Sequence, residues 1–151
     1  MPDLSKLFQP VRIHALFETR VYFLGDTIEM VVQVVTRDRL EIIRAKAELL
    51  WTPKGQGAAE VRAKMGNGPF VHSSMLFSQR HVIRAGGEEV FSVDLRTESL
   101  PPASGLTDAG WKTRVTVESS TRKIYSLESK IKISPHWLAR PDGSQEDLRL
   151  R

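Results

Sequence analysis

Cysteine is absent from the 151 residues, and this excludes disulfides, thiolate metal centres, a cysteine nucleophile and a small disulfide-knit secreted fold. No run approaches the roughly 18 uninterrupted apolar residues of a membrane-spanning helix. The first ten residues hold no apolar core of the kind a signal peptide carries. Neither sign of charge dominates: 22 Lys and Arg stand against 18 Asp and Glu, a formal net charge of +4. The signs are interspersed, as in Arg37-Asp38-Arg39-Leu40-Glu41 and Glu128-Ser129-Lys130. A nucleic-acid surface concentrates basic residues on one face with interleaved aromatics, so nucleic acid is not an expected partner. Internal repeats and low-complexity blocks are also missing. What remains, 40% hydrophobic and 26% charged residues, is the composition of one soluble domain, expected in the cytoplasm. A chain of this size removes roughly 70% of its extended surface from water without staples.

Apolar and polar residues alternate in several windows, and a period of two marks strands with one buried face. Val11, Ile13, Ala15 and Phe17 share a face against Arg12, His14 and Glu18. Ile28, Met30, Val32 and Val34 oppose Glu29 and Gln33, while Val31 and Val35 make this strand apolar on both sides and predict a central position. Phe91, Val93 and Leu95 oppose Ser92, Asp94 and Arg96; Trp111, Thr113, Val115 and Val117 oppose Lys112, Arg114 and Glu118; Ile131 and Ile133 oppose Lys130 and Lys132.

The window 40–51 fits a helix through Leu40, Ile43, Ala47, Leu50 and Trp51, and a strand with Glu41, Ile43, Ala45, Ala47, Leu49 and Trp51 on one face. The β-leaning residues before it and Pro53 after it favour the strand. In the window 70–83 the apolar residues change parity, which predicts a bulged or bent edge strand. Gly25-Asp26, Gly55-Gln56-Gly57, Gly66-Asn67-Gly68-Pro69, Gly86-Gly87 and Leu100-Pro101-Pro102 read as turns. Strands separated by turns, with no long amphipathic helix, predict an all-β sandwich. The sandwich is expected over 1–134 and a tail over 135–151, where Ser144 is a candidate cap for a short helix. Trp137 and Leu138 in that tail are expected to dock on the domain itself.

Three blocks carry a family resemblance. Val21-Tyr22-Phe23-Leu24-Gly25-Asp26-Thr27-Ile28 leads into Val32-Gln33-Val34, and the aliphatic-rich stretch Leu40 to Leu49 follows. The third block runs Phe91-Ser92-Val93-Asp94-Leu95, then Leu100-Pro101-Pro102-Ala103-Ser104, then Gly110-Trp111-Lys112-Thr113-Arg114-Val115. Their order resembles the N-terminal domain of arrestin-type proteins, including the bacterial sporulation-control relatives and the retromer arrestin-like subunit. Ala103 intervenes before the serine, and Trp111 replaces the more usual tyrosine. The resemblance covers roughly residues 8–134 and implies an immunoglobulin-like antiparallel β-sandwich of the arrestin N-domain type. Full arrestins carry two sandwiches, and this chain is long enough for one. Arrestins recognise acidic or phosphorylated segments of membrane proteins, but no phosphate-reading motif matches here, so no functional residue is carried over.

A chemical signature is not visible. His14, His72, His81 and His136 lack metal-ligand spacing, and His72 and His81, nine apart, fall on opposite faces of a regular strand. Glu88 and Glu89 point apart on a strand. Ser104 lacks a nucleophile elbow. Gly55-Gln56-Gly57 has Glu60 where a dinucleotide fingerprint needs glycine and opens no convincing helix, so it reads as a hairpin loop, as does Gly66-Asn67-Gly68. No catalytic residue, metal or cofactor is expected.

The candidate binding feature is an outward basic row, Lys112, Arg114, Lys130 and Lys132, with Arg122 and Lys123 beside it, provided the last two strands form a hairpin. Outward lysines also serve solubility and guard strand edges. The expected function is a non-catalytic adaptor or regulatory scaffold that binds an acidic or phosphorylated protein partner through sheet edges, loops or this face. The alternatives are a small β-sandwich hydrolase or lyase with a histidine-containing pocket, and association with anionic membrane or nucleic acid. Homodimerisation through an edge strand is a further expectation.

Overall fold

A computed structural model describes residues 10–103 and 105–135. The expected tail beyond Pro135, with His136, Trp137, Leu138 and Ser144, and the turn residue Ser104 lie outside these. Among the described residues, nine strands and one short helix follow in the order β1 (Val11–Phe17), β2 (Val21–Tyr22), β3 (Thr27–Thr36), β4 (Leu40–Lys54), α1 (Ala58–Met65), β5 (Phe70–Ile83), β6 (Glu88–Arg96), β7 (Asp108–Ser119), β8 (Ile124–Lys130) and β9 (Lys132–Ile133). One sheet has the order β1-β3-β6 and the other β5-β4-β7-β8, antiparallel throughout, and β2 pairs with β9 in parallel. This is the immunoglobulin-like sandwich that the sequence predicts. The core lies between the layers, with Ile28, Met30, Val32 and Val34 of β3 and Val93 and Leu95 of β6 facing Ile42, Ala47, Leu49 and Trp51 of β4 and Val115 and Val117 of β7.

Period two persists wherever a strand is regular, because one side of each residue pair meets the opposite sheet and the other meets water. Strand β3 is central, as expected, but Val31 is 43% exposed, so its outer face is bare rather than covered. The window 40–51 is strand, and Ile43, assigned to the buried face, is exposed while Ile42 points inward. The register between β4 and β7 shifts between Ile42 and Arg44. One extra residue there reverses parity, which a fixed two-residue period does not capture. The bulges expected in β5 are present: its pairing to β4 passes over His72 and Phe77 at two register shifts.

The loops of 55–57 and 66–68 are not two hairpin turns. Gly57, at φ 84°, immediately precedes α1, and Gly66 closes it through its N–H to the Arg62 carbonyl at 2.8 Å. Alanines with high helix propensity, Glu60 in the first turn, and Arg62 and Lys64 in the last sustain eight residues of helix. With Ala58 and Val61 its buried residues, the helix has too small an apolar face to register in the sequence pattern. The final basic alternation also divides: β8 ends at Lys130 in the four-stranded sheet, and Lys132 belongs to β9 against β2.

Candidate functional site

An open groove of about 1160 Å³ lies at one end of the sandwich, where β1 finishes, β7 begins and the chain crosses from β8 to β9. Trp51, Ala109, Trp111, Ile131 and Ile133 line it and are each less than a tenth exposed. Its basic residues are Arg20, Lys54, Lys112, Lys130 and Lys132, against the acids Glu18 and Asp108. Arg20 is committed locally: it pairs with Glu18 at 3.2 Å and Asp26 at 3.5 Å, and its guanidinium carbon sits 3.9 Å from the Tyr22 ring centroid. Lys112 pairs with Glu128 at 2.7 Å. Lys54, Lys130 and Lys132 are exposed and make no ion pair among the described residues. Three lysines without an ion pair in a groove that also has apolar lining favour an anionic group carried beside an apolar one.

The hairpin on which the basic row depends does form, with Lys112 opposite Lys130. It does not hold all six candidates together. Lys112, Lys130 and Lys132 reach the groove. Arg114 lies opposite Glu128 and extends instead to Glu48 on β4, donating from Nε at 3.1 Å and Nη2 at 3.0 Å to Oε1. Arg122 and Lys123 sit in the turn at the other end of the hairpin, beyond the Glu118–Ile124 pair. Six residues of β7 separate that pair from Lys112, roughly 20 Å at strand rise. The sequence pattern misses Lys54 and the two tryptophans, because they come from β4 and the start of β7, which only the sheet order brings together. The usable signal was the pairing of Trp51 with Trp111 across β4 and β7, which no spacing in the chain reveals.

The histidines are dispersed. His14 is exposed on β1. His72 is turned inward at its bulge, edge-on to Trp111 with centroids 5.2 Å apart, and its Nε2 accepts the Glu98 N–H at 2.9 Å. His81 packs edge-on to Phe91 and lies 3.1 Å from Glu89. Bulges thus direct both His72 and His81 towards β6, against the expectation of opposite faces, but at its two ends, roughly 30 Å apart along nine residues. None of these three histidines lines the groove. Glu88 and Glu89 do diverge, Glu88 accepting a hydrogen bond from Gln33 at 2.6 Å. Among the described residues no three metal-ligating side chains converge, and no helix is long and apolar enough to cross a membrane.

Burial holds the His72 imidazole below its ordinary pKa, against the opposing pull of the Glu98 carbonyl and carboxylate. Protonation would also set a second N–H against the Glu98 N–H. Since the folded pKa is depressed, the unfolded chain takes up the proton first. The stability is complete above the unfolded value of about 6.5 and is lost as pH falls through the folded value. Urea midpoints measured at pH 7.5 and 5.5 should therefore fall further for the wild type than for His72→Gln. Equal falls would remove His72 as the cause.

One solved structure agrees with this architecture. No family model and no curated protein matches the chain. Among solved structures, Spo0M, the sporulation control protein of Bacillus subtilis, superposes with a TM-score of 0.66 at 13% identity, over 84% of this chain and 50% of Spo0M. This chain therefore shares the sandwich fold of Spo0M and spans about half that protein's length. The alkylpurine DNA glycosylase AlkC of Pseudomonas fluorescens, at TM-score 0.43, 13% identity and 85% of this chain against 32% of its own, superposes too loosely to define a shared fold. The same holds for the C-terminal domain of wzt, at 0.46, 8% identity and 83% against 74%.

Proposed function

We propose that this domain is a non-catalytic, cytoplasmic binding module, an adaptor or regulatory scaffold whose end groove receives an acidic or phosphorylated segment of a protein partner. The observation that carries the reading is the set of three exposed lysines, Lys54, Lys130 and Lys132, that line the groove without an ion pair among the described residues, beside the buried Trp51 and Trp111. Of the six basic residues singled out in the sequence, Lys130 and Lys132 act directly. Lys112 contributes its stem while Glu128 holds its charge, Arg114 supports the sheet, and Arg122 and Lys123 stand apart. The likeness to a sporulation control protein is compatible with a regulatory role.

The test is fluorescence anisotropy with acidic and phosphorylated peptides that carry one aromatic residue. Charge reversal by Lys54→Glu, Lys130→Glu and Lys132→Glu together is expected to weaken binding at least ~10-fold, a loss of ~1.4 kcal/mol. Arg122→Glu with Lys123→Glu should leave it unchanged. Binding should also weaken as salt shortens the screening length below about 10 Å. Full retention by the triple variant rejects the groove. Binding to duplex DNA or anionic vesicles in preference to every peptide would favour the charge-driven alternative.

A further inference from the structure

Asparagine occurs once in the 151 residues, as Asn67, and glycine follows it. The pair lies in the exposed connection 66–69 between α1 and β5. Among the described residues, neither the Asn67 side-chain amide nor the Gly68 N–H makes a hydrogen bond. The space on the other side is open: no heavy atom lies within 4 Å of the point that a Cβ of Gly66 would occupy. Gly68 has no side chain of its own to stand between its nitrogen and the Asn67 carboxamide. Asparagine is among the thermolabile residues of proteins, and these surroundings leave its most direct reaction unobstructed.

We propose that Asn67 is a site of spontaneous deamidation, through a succinimide ring closed with Gly68, and that the change weakens binding in the neighbouring groove. In the first step the Gly68 backbone nitrogen attacks Asn67 Cγ. An N–Cγ bond forms, the Cγ–Nδ2 bond breaks, and the side-chain nitrogen leaves as ammonia with the proton from Gly68. Water then adds to either carbonyl of the ring. Opening at Cγ gives an aspartyl residue in an ordinary backbone. Opening at the main-chain carbonyl gives an isoaspartyl residue, in which the chain runs through Cβ and Cγ. Water is the one co-reactant, nothing is oxidised or reduced, and base speeds ring closure by removing the Gly68 proton.

Either product carries a carboxylate that the amide lacked. It stands two residues from Pro69, which lines the groove, at most about 7 Å along the chain. Gly68 also packs on Phe70, with the point of a Cβ 3.0 Å from the ring, and the Phe70 ring centroid lies 4.9 Å from that of Trp51 in the groove. The additional main-chain carbon of the isoaspartyl form enters immediately before this contact. A negative charge beside the groove opposes the acidic segment received there, so deamidation is expected to weaken its binding ~2-fold at low salt. This consequence rests on the function proposed for the groove, whereas the modification itself does not.

Incubation of the folded full chain at pH 8.5 and at pH 6, followed by ion exchange, tests this. A more acidic form should accumulate, faster at the higher pH, with ammonia released in equal amount. Tryptic cleavage after Lys64 and Arg80 isolates residues 65–80, in which aspartyl and isoaspartyl products of equal mass should both appear at position 67. Asn67→Gln, whose longer side chain would have to close a larger ring, should stay unmodified over the same interval. A folded chain that keeps Asn67 intact while the isolated peptide 65–80 converts, an acidic form that maps to Gln79, or an aspartyl product without isoaspartyl would each overturn the proposal. Fluorescence anisotropy of the separated acidic form then reads the groove, and an affinity equal to that of the fresh protein would overturn the effect on binding. A wild type that deamidates but binds no peptide would instead count against the proposed function and leave the modification standing.

Discussion

Arg114→Met is expected to lower the unfolding free energy by about 3 kcal/mol, the low end of what is lost when one member of a buried ion pair is removed. Glu48 is 3% exposed although it belongs to the outward row of β4, and a carboxylate so placed must be neutralised or hydrogen-bonded. Arg114 does both, with two donors at 3.1 and 3.0 Å on one oxygen. Lys46, whose Nζ is 3.8 Å from the other oxygen, is too distant to replace them. Water reaches the Arg114 side chain, about a third of which is exposed, and this moderates the loss. Removing both charges in Glu48→Leu with Arg114→Met leaves no buried unpaired charge, Lys46 being 39% exposed to water, and should return stability to within ~1 kcal/mol of the wild type. Urea unfolding with an unchanged m-value provides the measurement. A single variant that costs less than the double one would show that Glu48 is stabilised by something other than Arg114.

The second large effect is expected at Gly57. Its φ of 84° disfavours any side chain, and a Cβ placed there collides with the Gly105 carbonyl oxygen, with the Leu106 Cα also 3.3 Å away. Both obstacles are backbone, and neither moves freely. The neighbouring chain is tied by the Gln56 N–H to Thr107 Oγ1 at 2.9 Å and by the Thr107 N–H to the Gln56 carbonyl at 3.1 Å. Gly57→Ala should therefore cost more than ~2 kcal/mol, beyond the ~1–2 kcal/mol of the left-handed conformation by itself. Gly86→Ala is the control: φ is 73°, with open space around the new carbon, so it should lose only the conformational part. Equal losses in thermal or urea unfolding would mean that the close approach to Gly105 relaxes. A displaced 55–57 loop would also move the neighbouring Lys54, so peptide affinity should fall in Gly57→Ala and hold in Gly86→Ala.

Strand identity was legible where one face is buried and one is wet. The alternations at Val11–Phe17, Thr27–Thr36, Glu88–Arg96 and Asp108–Ser119 follow directly from hydrophobic burial with a two-residue period. The short helix after Gly57 was not legible, because eight residues that bury Ala58 and Val61 carry too little apolar contrast to reveal a helical face. Ile43 and His72 were misplaced for one physical reason: each is an extra residue in a bulge, and one insertion reverses the side of everything beyond it.

The site divides in the same way. The sequence by itself determined that the molecule is a cysteine-free sandwich with outward lysines near its last strands, because composition and local period depend only on neighbours along the chain. Which lysines stand together was decided by sheet order. Pairing of β4 with β7 brings Trp51 beside Trp111, the break at Ile131 sends Lys132 to β2, and Glu48 draws Arg114 away from the basic row. Those are contacts between residues far apart in the chain, made favourable by burial and ion pairing once the two layers close.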